Sequence, residues 1–158
     1  MNERQRELTM RFLAEPGDVN FGGKVHGGAV MKWIDQAGYA CAVGWSGQYC
    51  VTVYVGGIRF YKPVQIGHLV EVRSRLIHTG TTSMHIAADV RSGDPKFGRF
   101  QQTTHCIIVF VAVDAEGTPI EVPAWTPETD EDRALQAYAT RLMDLRKAIE
   151  AEMEPHLA

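Results

Sequence analysis

Seventeen consecutive residues, Ala29 to Trp45, carry only two charges, Lys32 and Asp35, in a run dominated by Ala, Val, Ile, Trp, Tyr and Cys. A helix built from them is apolar around most of its circumference, so it belongs inside something. The rest of the chain up to Val113 offers the cover. Val51, Val53 and Val55 alternate with other residues, as do Val70, Val72 and Leu76, and then Met84, Ile86, Ala88 and Val90. This period of two is that of half-buried strands. Cys106 to Val113 is continuously apolar, as expected of a strand covered on both faces.

Turn residues separate these segments: Lys62-Pro63 with Gly67, Gly80-Thr81-Thr82, Ser92-Gly93-Asp94-Pro95, and Asp114 to Pro119. A short apolar stretch, Leu8 to Ala14, precedes the turn signal Glu15-Pro16-Gly17-Asp18 and reads as a first strand. The order is one strand, one buried helix, then four strands joined as antiparallel neighbours. An antiparallel sheet curled around the helix is the compact way to bury it, an α+β architecture. From about Thr129 to Glu152, an acidic start (Asp130, Glu131, Asp132) leads into Leu135, Tyr138, Leu142, Leu145 and Ile149, spaced three or four apart. That pattern is a C-terminal helix with one apolar stripe, facing the body or a partner. Residues 1–158 thus form a single domain, with a core over about 8–123 and a helical extension over about 129–152.

A net charge of -3, spread along the chain, argues against a nucleic-acid partner. Cys41, Cys50 and Cys106 are odd in number and widely spaced within apolar stretches, which suits reduced core cysteines in a cytoplasmic protein and offers no metal site. Met1 to Glu7 lacks an apolar h-region, and no run approaches the roughly 20 apolar residues of a membrane span, so no membrane association is expected.

Asp35 is the residue most in need of an explanation, since a carboxylate in an apolar helix must be paired, hydrogen-bonded or open to a pocket. An ion pair with Lys32 at i-3 is the structural alternative. The preceding segment, Asn20 to Gly28, holds glycines at 22, 23, 27 and 28, which let the backbone approach a ligand. The first turn of the helix has free N–H groups able to polarise a carbonyl and stabilise an oxyanion. Gly27 and Asp35 are eight residues apart, about 12 Å along one helix, so they cannot easily act on one carbonyl from the same chain. A two-fold dimer with antiparallel helices would bring Gly27 of one chain to Asp35 of the other. Asn20 could hold a water or form an Asx-type turn, and His26 could be a base or a cap. No GxSxG elbow, GxGxxG or GxxxxGK[ST] signature is present, which speaks against serine hydrolases and Rossmann or P-loop nucleotide enzymes.

The run Asp18-Val19-Asn20, Gly23, Val25-His26-Gly27-Gly28, Met31 and Asp35-Gln36-Ala37-Gly38 resembles the acyl-CoA thioesterase branch of the hotdog-fold superfamily. So do Val51-Thr52-Val53, Phe60-Tyr61-Lys62-Pro63-Val64 with Gly67, Gly80-Thr81-Thr82-Ser83-Met84, and Phe110-Val111-Ala112-Val113-Asp114. The resemblance implies a five-stranded antiparallel sheet wrapped around a long central helix. It also implies a homodimer with sheets joined edge to edge, often assembled into tetramers or hexamers. The carboxylate at Asp35 would be general base or nucleophile, the Gly27 amide the oxyanion donor, and Asn20 a helper from the same chain as Gly27. No cofactor is implied. Gly80, Thr81, Thr82 and Ser83 would lie along the pantetheine arm of acyl-CoA, and His26 and Gly28 would also bind the substrate. Lys62, Lys96 and Arg99 would be candidates to meet the nucleotide phosphates. Met31, Trp33, Ile34 and Tyr39 could line the acyl slot. Where many relatives carry a polar residue, this chain has Gly56-Gly57, a bulge or a wider acyl tunnel.

Two other readings are compatible with these residues. One is a hydratase or dehydratase with His26 paired to Asp35, and the other a non-catalytic acyl-CoA sensor. The retained carboxylate and the lack of a DNA-binding segment ahead of Leu8 weigh against the sensor.

Overall fold

The computed structural model describes residues 3–157. Strand β1 (Glu7–Leu13) leads through a 3-10 turn to helix α1 (Gly27–Ser46). Strands β2 (Cys50–Phe60), β3 (Leu69–Thr79), β4 (Ser83–Gly93) and β5 (Gln101–Ala112) follow, and helix α2 (Asp130–Met153) closes the chain. The strands form one antiparallel sheet in the order β1-β3-β4-β5-β2, with α1 on its inner face. The five strands, the long helix and their chain order agree with the sequence expectation. One pairing does not, because β2 and β3 are not neighbours. From β2 the chain crosses to the far side of the sheet, leaving β2 paired with β5 and forming one edge, while β1 forms the other.

The continuous apolar run of β5 serves two cores. Cys106, Ile108 and Phe110 face α1, whereas Ile107 and Val109 face α2 on the outer surface, where Leu135, Tyr138, Ala139 and Leu142 pack against the sheet. The α2 cap is Thr129, whose Oγ1 accepts from the Asp132 N–H at 3.0 Å. Beyond Leu142 the apolar stripe of α2 leaves the sheet, and Leu145 and Ile149 are exposed.

Helix α1 presses so closely on β5 that a Cβ at Gly38 would lie 2.9 Å from Phe110 Cε2 and 3.1 Å from Ile108 Cγ2. Its buried face comprises Val30, Trp33, Ile34, Ala37, Cys41, Ala42 and Trp45. Trp33 stacks on Phe12, and Ile34 is fully buried, so both belong to the chain's own core and not to an acyl slot. The opposite face, with Lys32, Asp35, Gln36 and Tyr39, is open in the single chain. The helix is therefore covered on one side only, and its bare stripe runs beside the β2 edge.

The two sheet edges differ in chemistry. Strand β1 carries Glu7 and Arg11, ion-paired to Arg73 and Glu71 at 3.2 Å each, and such charged edges resist pairing with another strand. Strand β2 has one charge in eleven residues, Arg59, and exposes Val53 and Phe60. No described helix is long and apolar enough to cross a membrane. Cys41, Cys50 and Cys106 are free and buried, and burial pushes the Cys41 and Cys106 thiols up to about 12, which leaves them unreactive.

Candidate active site

The period of two in β2 breaks at Val53. A register shift between Thr52 and Tyr54 makes Val53 an extra residue, 53% exposed, and of the three alternating valines only Val55 packs in the core beneath α1. The expectation that Val51, Val53 and Val55 share one face is thus corrected by a β-bulge, a feature that periodicity cannot reveal. The bulge has a chemical result. Thr52 turns to the helix side, where its Oγ1 donates to Asp35 Oδ1 at 2.5 Å. That hydrogen bond occupies one carboxylate oxygen and leaves Oδ2 without a protein partner among the described residues. The alternative of a Lys32–Asp35 ion pair is not realised, and Asp35 faces the open stripe.

Asn20 closes a tight loop. Its side-chain oxygen accepts from the N–H groups of Gly22 at 2.9 Å and Lys24 at 3.0 Å, while its backbone N–H donates to the Lys24 carbonyl at 2.6 Å. It therefore does form an Asx-type turn, holding the N–H groups of Gly22 and Lys24. Because the oxygen holds the loop, the side-chain NH2 group is left with its donors unspent. The loop is fastened to α1 by the His26 N–H donating to the Asp18 carbonyl at 2.7 Å. His26 is the N-cap residue, but its ring makes no capping bond, and it is exposed. Gly27 and Gly28 open the helix, and their N–H groups are first-turn donors with no carbonyl four residues back.

A groove of about 360 Å³ gathers Asn20, Lys24, Gly27, Phe60 and Lys62. An adjoining groove of about 320 Å³ shares Lys62 and adds His68 and Arg99. Lys62 Nζ donates to Gln101 Oε1 at 3.2 Å between them. Lys96 stands apart on the β4–β5 turn, in an ion pair with Asp94 at 3.7 Å.

Asp35 lies elsewhere. Its partner Thr52 sits opposite Phe110, which sits opposite Met84, next to the Gly80–Ser83 turn. Phe60, which packs near Gly27, sits opposite Thr104. Phe110 and Thr104 are six residues apart on β5, about 20 Å. Within one chain, Asp35, Thr52 and Gly80 to Ser83 thus cluster toward one end of the sheet, and Asn20, His26, Gly27, Gly28, Lys62 and Arg99 toward the other. His26 and Asp35, nine residues apart on α1 and so separated by about 13 Å, do not form an acid–base pair within a chain.

Thr52 is the residue to which the sequence reading assigned no role, although Val51-Thr52-Val53 was among its motifs. A hydroxyl in an otherwise apolar strand was the available signal, and the assumed alternation directed it outward. The Gly56-Gly57 pair is a bulge, with Gly57 at φ +66° and a second register shift between Gly56 and Arg59. Gly56 pairs with Ile107 and faces α2, where the Tyr54 ring takes the place of its missing side chain, so the pair opens no tunnel beside α1.

Residues 22–98 match the family model of the thioesterase superfamily. The chain is 34% identical over 125 residues to the acyl-CoA thioester hydrolase YciA of Salmonella typhimurium, covering 77% of this chain and 94% of that protein. In three dimensions it is similar to an apo-hexameric acyl-CoA thioesterase, with TM-score 0.87 and 29% identity over 93% of this chain and 94% of the other. It is also similar to the Staphylococcus aureus acyl-CoA hydrolase in complex with butyryl-coenzyme A, coenzyme A and coenzyme A disulfide. There the TM-score is 0.86 and the identity 26%, over 96% and 93% of the two chains. Structures of that enzyme include separate alanine variants of one aspartate, one asparagine and one threonine. By sequence relationship and architecture together, the chain belongs to the thioesterase superfamily, with the hotdog fold and the enzyme class of a thioester hydrolase.

Proposed function

We propose that this chain hydrolyses acyl-CoA to a free acid and coenzyme A, in a site completed only when two chains meet along their β2 edges. The observation that carries this reading is the separation of the two half-sites. One end of each chain holds a carboxylate oriented by Thr52, and the other holds free first-turn amides beside Asn20. An antiparallel two-fold pairing of the β2 edges superposes opposite ends, and so faces Asp35 and Thr52 of one chain with Gly27 and Asn20 of the other. The same pairing covers Val53, Phe60 and the bare stripe of α1.

In this arrangement the Gly27 N–H polarises the thioester carbonyl and stabilises the oxyanion. Asp35 Oδ2 either takes a proton from an attacking water or attacks the carbonyl itself, giving a transient anhydride that water cleaves. The NH2 group of Asn20 holds the water or the carbonyl. The thiolate departs without a strong general acid. Lys62 and Arg99 face the nucleotide phosphates from the adjoining grooves, and Gly80 to Ser83 of the chain supplying Asp35 lie along the pantetheine arm. The three alanine variants of the Staphylococcus aureus enzyme support the residue choice. Their asparagine, aspartate and threonine stand at intervals of fifteen and seventeen residues, the same as Asn20 to Asp35 to Thr52. Hexameric relatives agree with assembly of such dimers into a larger homo-oligomer.

Complementation tests the shared site. Gly27→Pro deletes only the N–H donor, since proline is favoured at the first helical position and His26, at φ -60° and ψ 135°, already has the backbone that precedes proline. Asp35→Ala deletes the carboxylate. Each variant alone should be inactive toward acyl-CoA. Random mixing of the two at equal amounts should restore about a quarter of the wild-type sites, because half the dimers are mixed and each has one intact site. No recovery, despite demonstrated subunit exchange, places the site within one chain and removes the proposal.

A further inference from the structure

On the sheet face remote from α1, the second half of α2 does not close against β2. The Tyr54 ring lies over Gly56, in the place a side chain there would take, and beside this bulged stretch of β2 a cavity of about 210 Å³ remains between α2 and the outer surface of the sheet. An engineered apolar cavity of about 150 Å³ is large enough to bind benzene. The walls are apolar, formed by side chains such as Ile107, Val109 and Leu142, with two nitrogen-bearing exceptions besides the Tyr54 hydroxyl.

One exception is His85, 3% exposed, whose ring borders the cavity, makes no hydrogen bond to another described residue, and lies edge-on to the His78 ring with the centroids 5.1 Å apart. The other is Arg146, whose guanidinium lies 4.8 Å from the centre of the Tyr54 ring. Its buried Nε faces the exposed Glu150 in an ion pair at 3.4 Å without forming a hydrogen bond, the one ion pair of this side chain among the described residues. No hydrogen bond or ion pair engages the Nη atoms among the described residues, and a guanidinium with that end free fits a carboxylate. A single cation already partly offset by Glu150 suits one negative charge better than a phosphate. Burial holds His85 down to about 4, together with the neighbouring charges of His78 and Arg146, so the ring is a neutral hydrogen-bonding group at pH 7.

We propose that this cavity binds a small carboxylic acid with an aliphatic or aromatic tail, its carboxylate on Arg146 and His85 and its tail against Ile107, Val109 and Leu142. The site is separate from the catalytic groove in the fold, lying on the opposite face of the sheet. It is nevertheless linked to it through β2, because Tyr54 at the cavity is two residues beyond Thr52. Under the thioesterase reading, on which only this relation rests, the ligand has the chemistry of the reaction product.

The test is calorimetric titration of the assembled full-length protein with octanoate, which needs no turnover and so succeeds or fails independently of thioesterase activity. One octanoate should bind per chain, with the affinity unchanged by saturating coenzyme A and in Asp35→Ala. Octan-1-ol, with the same tail and no charge, should bind at least about tenfold more weakly, as should octanoate to Arg146→Met. Arg146→Lys, which keeps the charge but not the fork, should fall between and serves if the methionine variant does not fold. Absence of octanoate binding overturns the proposal, as it would if a neighbouring chain fills the cavity. Displacement by coenzyme A, or equal binding of octan-1-ol, overturns it as well.

Discussion

Thr52 Oγ1 donates to Asp35 Oδ1 across the gap between strand β2 and helix α1, at 2.5 Å, and this is the only side-chain hydrogen bond that the Asp35 carboxylate makes among the described residues. A hydrogen bond to a charged group contributes about 1.5–3 kcal/mol. Thr52→Val, which keeps the shape and removes the donor, should lower kcat for acyl-CoA hydrolysis by about 10- to 150-fold, while Thr52→Ser retains most of it. A thiol-release assay checks both. Equal activity in Thr52→Val would show that the bond does not orient the reacting carboxylate.

Asp35 is exposed in the single chain, so its removal tests chemistry with little disturbance of the core. Asp35→Ala should lose at least about a thousandfold in kcat and keep coenzyme A binding and secondary structure. Comparison of kinetics, binding and circular dichroism separates loss of the carboxylate from loss of the fold.

Acid should destabilise the protein through His85. Burial lowers its pKa to about 4 in the folded state, below the ordinary 6.5, so between these values the unfolded chain binds more protons than the folded one. Stability from this group is complete above about pH 6.5 and is lost as pH falls toward 4, at up to about 1.4 kcal/mol per pH unit. Melting temperatures measured across this interval should rise with pH, and His85→Gln should flatten the slope.

Gly38 sets how closely α1 can lie on β5. A Cβ there would meet the Phe110 ring at 2.9 Å, an overpacking that costs about 1–3 kcal/mol. Gly38→Ala should therefore lower Tm by several degrees, at about 2–4 °C per kcal/mol for a chain of this size. Gly28→Ala is the control, since a Cβ at Gly28 meets nothing within 4 Å, and it should leave the Tm of the isolated fold nearly unchanged.

The sheet, the buried helix and the α2 cap were legible because each is written in local pattern. The continuous apolar run of β5 announces cover on both faces, and Ile108 and Ile107 do point to different cores. The pairing of β2 with β5 was not legible, since apolar alternation identifies a strand but not its neighbour. Nor was the role of Thr52, because one extra residue at Val53 reverses every face assignment that follows it. Gly56-Gly57 was noticed as unusual, but which side of the sheet it faces depends on the same register.

What the sequence by itself determined was the inventory: a helix too apolar to stand alone, strands to cover it, a carboxylate at Asp35 and free amides at Gly27, too far apart on one helix to share a carbonyl. Those properties follow from composition and from the rise of a helix per residue, which need no long-range contact. Only the tertiary structure decided that Thr52 meets Asp35, that β2, with its single charge, is a free edge, and that Asn20 and Lys62 share a groove with Gly27. These depend on bulges, register and crossover, which arise when distant segments compete for the same partners, and local spacing carries no record of that competition.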